Sequence, residues 1–586
     1  MKWRELLRQE KSKYTIPQML RWLWRAWRGN RLQAALNAAV GLLGVGCSLA
    51  SVWAMKRAID IAAGATGLAA SASGRTSPRE VYIAVGVMAL IILCEFALGI
   101  SRVWIKNILG IKAQNRMQQQ ILGRLLRSEW RGREAMHSGD VINRLEQDVN
   151  NVVDFLTETL PSTLSTLALF IGAFCYLFSM DTWLAIITVA ILPVFILFSR
   201  FYVSRMRQLT RSIRQSDSQV QNILTETMQH RVLVKTMEAD DLMLERLDDT
   251  QSELRHRVRS RTAFSVASNL MLNSGFSAGY LIAFLWGALR LQAGTITFGA
   301  MTAFLQLVYR IQGPARNLTK LAPAFVGVFT AAERLMELEE VPEEEQGEPQ
   351  MMPGPCGIRF HDVSYHYADD AQRMIVSHAD YDFPPGSCTA ILGETGAGKT
   401  TLIRLILALV RPTDGTITIY SPAANSRTPV PPHLRTSESS PPEQTLSPLH
   451  RCNFIYVPQG NTLLSGTLRE NLQMGNPQAT DDEMMAALHT VCADFVDALP
   501  KGLDTVMAEH GTGLSEGQAQ RIAIARALLR PGSIMLLDEA TSSLDTDTES
   551  TLLRNLLANR RHTIIFITHR HSVLDYCDHV IRIDAR

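Results

Sequence analysis

The chain has 586 residues, 46% of them apolar, and is too long for one ordinary domain of roughly 150 residues. Its 58 lysines and arginines nearly balance 56 aspartates and glutamates, a net charge of +2, so no global field marks a nucleic-acid partner. The apolar residues crowd the first 330 positions in long runs while the rest alternates as a soluble domain does, so two unlike parts are expected.

Residues 1–31 carry Lys2, Arg4, Arg8, Lys11, Lys13, Arg21, Arg25, Arg28 and Arg31 against Glu5 and Glu10. The positive-inside rule places this end in the cytoplasm. The first apolar run is too long for the core of a signal peptide, so none is expected to be cleaved. Within this arm, Tyr14 to Trp27 interleaves Trp22, Trp24 and Trp27 with Arg21, Arg25 and Arg28. That mixture suits a helix lying among lipid headgroups, and the neighbouring apolar run makes this simpler than a nucleic-acid patch.

About 20 apolar residues are needed to cross the hydrocarbon core, and six stretches meet this, near 33–55, 81–105, 157–179, 182–202, 263–289 and 297–318. The second has no charge from Val81 to Cys94, and the fourth none from Thr182 to Ser199. Short connections, Met180 to Thr182 and Gln292 to Ile296, alternate with long ones, about 106–154 and 203–260. The long ones keep helical periodicity, so the spanning helices are expected to run on well into the cytoplasm. Glu95 and Arg310 are the notable intramembrane charges, and neither is assigned a substrate role. The eight cysteines lie far apart with no metal-ligand or redox spacing and read as small apolar fillers.

From Glu337 to Gly357 the chain turns acidic and gains proline, which reads as an exposed linker between a membrane domain at 32–336 and a soluble domain at 358–586. The Pro-, Ser- and Thr-rich segment 421–450 reads as a disordered insertion in the latter.

Cys388 to Leu392 reads as a strand, Thr401 to Val410 as a helix, and between them Gly393, Glu394, Thr395, Gly396, Ala397, Gly398, Lys399 and Thr400 satisfy the P-loop pattern in full. The glycines let backbone amides approach phosphates at a helix N-terminus. Lys399 is expected to reach the β and γ phosphates, the Thr400 hydroxyl to ligate Mg²⁺, and Thr401 to join the nucleotide contacts. A buried strand, Ile534 to Leu537, ends in Asp538 and Glu539. A parallel nucleotide-binding sheet needs carboxylates at that edge, with Asp538 orienting Mg²⁺ and Glu539 free to polarise the attacking water.

Leu514-Ser515-Glu516-Gly517-Gln518, followed by Ala519 to Leu528, resembles the signature of the ATP-binding cassette proteins. The resemblance implies that Ser515, Gly517 and Gln518 contact a nucleotide; Glu516 departs from the family's glycine and puts a carboxylate beside that contact. By the same resemblance Tyr367, or its neighbour Tyr365, is the aromatic that stacks on adenine. Gln459 is the glutamine that contacts Mg²⁺, Ser543-Leu544-Asp545 the loop at the dimer interface, and His569 the histidine that holds the γ-phosphate. Ser138 to Leu145 and Thr225 to Thr236 look like the first two cytoplasmic loops of exporters, and Thr505 to Gly511, with Glu509, like a further exporter element.

The resemblance implies a multidomain membrane protein, an all-α six-helix transmembrane domain with long cytoplasmic extensions followed by an α/β P-loop ATPase domain. It implies an ATP-driven exporter half in the cell membrane, with ATP and Mg²⁺ as cofactors, moving a lipid, drug-like or peptide substrate out of the cytoplasm. Since one chain carries one cassette and both half-sites, the economical partner is a second copy, a related half-transporter being the other. The rival class is a nucleotide-gated channel or regulatory protein without net pumping.

Overall fold

The computed structural model describes residues 13–63, 78–130, 138–190, 192–367, 373–394, 396–421, 443–507, 513–558 and 562–583. Lys2, Arg4, Glu5, Arg8, Glu10, Lys11, Thr395 and Glu509 lie outside them. The chain divides into two compact units, one made of Met1–Leu122 and Gly139–Leu338, the other of Gly123–Ser138 and Glu339–Arg586.

The first unit is helical. Helix α1 (Ile16–Ala26) starts at Thr15, whose capping box with Gln18 satisfies the first amides. It buries Met19, Trp22 and Leu23 and leaves Leu20 and Trp24 exposed, the two-faced form expected of an interfacial helix. Arg31 lies 4.2 Å over the Trp24 ring and donates to the Trp24 carbonyl. Four helices among the described residues are long and apolar enough to cross a membrane: α2 (Arg31–Ala62), α3 (Pro78–Leu126), α4 (Gly139–Met180) and, after α5 (Thr182–Ala190), α6 (Leu192–Gln229) and α7 (Arg231–Thr236), α8 (Asp240–Gln292). The fourth and sixth expected spans fall on α5 with α6 and on α9 (Phe298–Glu339). Lengths of 49 and 53 residues for α3 and α8 exceed what a bilayer needs, in line with helices that run on past it.

Val52, Ala173, Leu177, Leu184, Ala283, Phe304 and Leu307 make one dry cluster between these helices. By contrast, α3 turns Tyr82, Leu90, Phe96, Ile100 and Trp104 outward, a face that water would not tolerate and that lipid or a second chain can cover. Arg310 on α9 donates to Ser51 Oγ at 3.3 Å, so that intramembrane charge has a hydroxyl partner on α2.

The second unit is α/β. Its main sheet has the order β12–β4–β11–β10–β7, with every pairing parallel: β4 (Cys388–Gly393), β7 (Phe454–Val457), β10 (Ile534–Asp538), β11 (Thr563–Ile567) and β12 (His579–Ile583). A strand covered on both faces can be apolar throughout, and β10 and β11 are buried at every residue. An antiparallel sheet lies over it, built on β1 (Gly357–Tyr365), which pairs with β2 (Val376–Ala379), β3 (Asp382–Phe383) and β5 (Asp414–Tyr420). Ile358, Phe360, Phe383, Ile391, Ile406 and Ile565 fill one core between the sheets and α10 (Lys399–Ile406). On the opposite face, α11 (Leu468–Gln473), α12 (Asp481–Thr490), α13 (Glu516–Leu528) and α14 (Thr546–Leu557) close a second core over Met535, Leu537 and Phe566.

The stretch expected to be an exposed linker opens as the end of helix α9, up to Glu339; from Glu340 to Pro355 most of its residues are exposed, and a few tie it to the second unit. Glu344 takes two hydrogen bonds from Arg451, at 2.6 and 2.8 Å, Met352 is 6% exposed and donates its N–H to Asn453, and Cys356 is fully buried. Within the acidic run, half-buried Glu344 has its partner in Arg451, 107 residues on. The segment expected to be disordered ends in structure: β6 (Glu443–Thr445) pairs antiparallel with β5, and a 3-10 turn, Pro448–Asn453, is capped by Ser447 and His450. Residues 422–442 of that segment lie outside the described residues.

Candidate functional site

Parallel sheets deliver side chains at the C-terminal ends of their strands, and four neighbouring strands do so here. The P-loop follows β4, Gln459 follows β7, Asp538 and Glu539 end β10, and His569 follows β11. Because β4, β11, β10 and β7 are adjacent in that order, residues up to 176 positions apart in sequence open on one edge.

Local backbone chemistry shapes the loop. Gly396 and Gly398 take φ of 91° and 99°, the left-handed region that favours glycine. A Cβ on Gly398 would stand 3.0 Å from Ile375 Cγ2, and one on Gly393 would stand 2.7 Å from the Ile583 carbonyl. The chain then enters α10 directly at Lys399, leaving the helix N-terminus facing the loop. Lys399 Nζ donates to the Gly393 carbonyl at 2.6 Å and lies 2.7 Å from His569 Nε2. His569 Nε2 is 3.3 Å from Glu539 Oε1, and Gln459 Nε2 donates to Glu539 Oε2 at 2.7 Å. Lys399, His569, Glu539 and Gln459 thus form one contiguous polar chain. Glu539 holds a left-handed φ of 47°, anchored by its N–H to the Ile567 carbonyl at 2.9 Å; the strain fixes its carboxylate at the strand end.

Asp538 is 9% exposed. Burial, then the neighbouring Glu539 charge, pushes its carboxyl up to about 6, while Lys399 and a hydrogen bond from Tyr456 pull the other way. A buried carboxylate with a second beside it is short of positive charge, and the exposed Thr400 hydroxyl adds an oxygen donor of the type a hard cation takes. These residues fit a divalent cation.

Tyr367 and Tyr365 are both buried, 5% and 8% exposed, with rings edge-on at 5.1 Å. The Tyr367 hydroxyl is 2.9 Å from Thr401 Oγ1 and accepts from Arg404 at 2.9 Å, which ties it to the P-loop helix. In this geometry the ring is a wall of the loop rather than an open platform, and a base can stack on it only if it leaves the core.

Ser515 is the N-cap of α13: its Oγ accepts from the Gln518 N–H, and the Gln518 side chain accepts the Ser515 N–H at 2.9 Å. Both Ser515 and Glu516 are exposed at this helix start. A Cβ on Gly517 would stand 2.9 Å from the Ser543 carbonyl, so the signature and the Ser543-Leu544-Asp545 loop are in close contact.

Three residues hold this arrangement in roles that the sequence reading did not give them. Gln520, 2% exposed, donates to Ser542 Oγ and accepts from the Ser543 N–H, both at 3.3 Å. Arg526 donates to the carbonyl and hydroxyl of Thr462, three residues beyond Gln459, and its burial lowers its pKa. Arg570, next to His569 in the loop after β11, reaches the Ser542 and Leu544 carbonyls and buried Glu549. Each partner is remote in sequence, so spacing could not have found them.

The family model of the ABC transporter transmembrane region matches residues 36–314, and that of the ABC transporter matches residues 376–542. The ATP-dependent lipid A-core flippase of Bordetella avium is 28% identical over 522 residues, covering 87% of this chain and 84% of that protein. The protein of the same name from Chromobacterium violaceum is 28% identical over 472 residues, covering 80% and 77%. A bacterial Atm1-family ABC exporter solved with ATP bound superposes with a TM-score of 0.74 at 22% identity, over 95% of this chain and 94% of that one, which shows a shared fold. With a membrane region and an ATP-binding domain fused on one chain, and relatives matched along both, this chain belongs to the ABC exporters as a half-transporter that couples ATP hydrolysis to export across a membrane.

Proposed function

We propose that two copies of this chain form a homodimer in the cell membrane, with the N-terminus and the ATPase unit on the cytoplasmic side, and move an amphipathic lipid outward. The observation that carries the ATP-site assignment is the polar chain Lys399–His569–Glu539–Gln459 at the ends of four adjacent parallel strands. The lipid class is supported by the names of the relatives and by the outward apolar face of α3, which suits a lipid-facing or dimer-facing wall.

Lys399 and the amides of Gly393, Glu394, Gly396, Ala397 and Gly398 bind the β and γ phosphates. Thr400, Asp538 and Gln459 would hold Mg²⁺, which would supply charge neutralisation at the phosphates. Glu539 orients and deprotonates the attacking water. His569, beside Lys399, donates to the γ-phosphate. Ser515, Gly517 and Gln518 offer hydroxyl and amide donors to a nucleotide held by the other copy, so two cassettes close over two nucleotides. Closure favours one membrane conformation and hydrolysis releases it, a population shift driven by differential nucleotide affinity.

The test is the purified chain alone, reconstituted in vesicles. A dimeric mass, with ATPase activity raised by lipid A over a zwitterionic phospholipid, is the expected result. A monomer inactive until mixed with a sister half-transporter would refute the homodimer, and equal activity with every lipid would refute the substrate class.

A further inference from the structure

None of the eight cysteines lies at a redox spacing in sequence, yet the fold brings two of them together. Cys388 opens β4, the strand that runs into the P-loop five residues later, and Cys577 precedes β12, its parallel neighbour. Their sulfurs lie 3.0 Å apart although 189 residues separate them. The backbones are fixed at the same place: the Asp578 N–H donates to the Cys388 carbonyl at 2.8 Å, and the Cys388 N–H donates to Asp578 Oδ2 at 2.9 Å. Two thiols held at the start of one strand and just before its neighbour need their sulfurs to close by only about 1 Å to reach a disulfide bond of ~2.05 Å. Cys388 is 3% exposed, whereas Cys577 is half-buried and so within reach of a small oxidant.

We propose that Cys388 and Cys577 form a reversible oxidation site that closes to a disulfide with a hydroperoxide and thereby slows nucleotide turnover. The Cys577 thiolate attacks one peroxide oxygen; the O–O bond breaks, the leaving oxygen takes up the thiol proton, and Cys577 becomes a sulfenic acid as hydrogen peroxide is reduced to water. The Cys388 thiol then attacks the sulfenic sulfur, the S–S bond forms, and the hydroxyl leaves with the Cys388 proton as a second water. The hydrogen bond with Cys388 lowers the Cys577 thiol against the opposing effect of its burial, which favours Cys577 as the first sulfur to react. A dithiol in a cytoplasmic unit is reduced at rest, so the bond is a transient response rather than a structural staple.

The consequence for turnover follows from register. The β4 and β12 pairing runs from Thr389 with His579 to Gly393 with Ile583, and the Cβ position of Gly393 is 2.7 Å from the Ile583 carbonyl. Pulling the strand roots together leaves no slack at the other end, where Gly393 accepts from Lys399 Nζ.

The experiment treats the full-length chain in vesicles with hydrogen peroxide, then with dithiothreitol. It maps linked peptides by mass and follows ATPase activity in the native protein and in Cys577→Ser, whose half-buried site makes misfolding a lesser risk than at Cys388. The native protein should show a peptide pair joined through Cys388 and Cys577, and a fall in turnover of about 5-fold or more, since a 1 Å misplacement can cost ~100-fold. Dithiothreitol should restore it, and Cys577→Ser should keep its full rate in peroxide. Absence of that linked pair, or its presence with unchanged turnover, overturns the proposal. An untreated chain that hydrolyses no ATP speaks instead against the pump reading, because the linked peptides are read by mass alone.

Discussion

His569 Nε2 stands between Lys399 Nζ at 2.7 Å and Glu539 Oε1 at 3.3 Å. A single ring nitrogen cannot accept from the ammonium and donate to the carboxylate together, so it serves one of them at a time, while Gln459 donates to the other Glu539 oxygen at 2.7 Å. In the proposed reaction that carboxylate takes the proton of the attacking water. Glu539→Gln keeps the shape and the φ of 47° but cannot accept a proton. Nucleotide binding should persist while steady-state ATP turnover falls about 10²-fold or more; phosphate release and equilibrium binding measured on one preparation check both halves, and full turnover would contradict the assigned base.

Gln520 links the signature helix to the Ser542 and Ser543 backbone turn from a nearly water-free position. Gln520→Ala leaves Ser543 N–H without this acceptor, at a cost of about 1–3 kcal/mol. The cassette should melt earlier, and turnover should fall more than ATP binding to the P-loop does, since the change lies on the signature side. Chemical denaturation beside an ATP titration measures the two effects separately.

Glu516 is exposed at the first turn of α13, where its charge suits its own helix but opposes a phosphate brought to the same N-terminus. Glu516→Gly should lower the KM for ATP about two- to fivefold, the reach of ~0.3–1 kcal/mol of surface electrostatics. Raising the salt should shrink the difference between the two proteins; an unchanged KM at low salt would show that the carboxylate points away from the bound phosphate.

His450 is 3% exposed, with Nδ1 at the Ser447 N–H, 3.2 Å, and Nε2 at Gln444 Oε1, 2.9 Å. Burial lowers its pKa, so the folded protein prefers the neutral ring. Stability from this site is complete above the unfolded value of about 6.5 and is lost as pH falls from there through the lower folded value. Amide protection at Glu443–Asn453, taken relative to the intrinsic exchange rate at each pH, should therefore fall on acidification. His450→Gln, which does not titrate, should flatten that dependence; an equal fall in both proteins would place its origin elsewhere.

The parts of the site that were legible in sequence are those whose chemistry is local. Gly396 and Gly398 announce the left-handed turns, and the apolar run into Asp538 announces a buried strand with carboxylates at its end. What stayed hidden depends on pairing across the fold: Arg526 with Thr462, Arg570 with Glu549, Cys388 with Cys577. A long-range partner can also change the meaning of a single charge, as Arg451 does for Glu344 in a mostly exposed acidic stretch. The aromatic at 367 was recognisable by position, but its burial depends on Thr401 and Arg404 coming from a helix 34 to 37 residues downstream.

The ATP-binding unit is assembled from two pieces of chain, because Gly123–Ser138 clusters with Glu339–Arg586. Glu129 donates its N–H to the Pro342 carbonyl, the Arg127 carbonyl accepts from Glu344, and Trp130 lies 5.7 Å from the guanidinium of Arg404. During synthesis the smaller piece leaves the ribosome some two hundred residues ahead of the larger and must wait for it. An excised cassette beginning at β1 would lack these braces, and would be a poorer stand-in for the ATPase than its intact P-loop suggests.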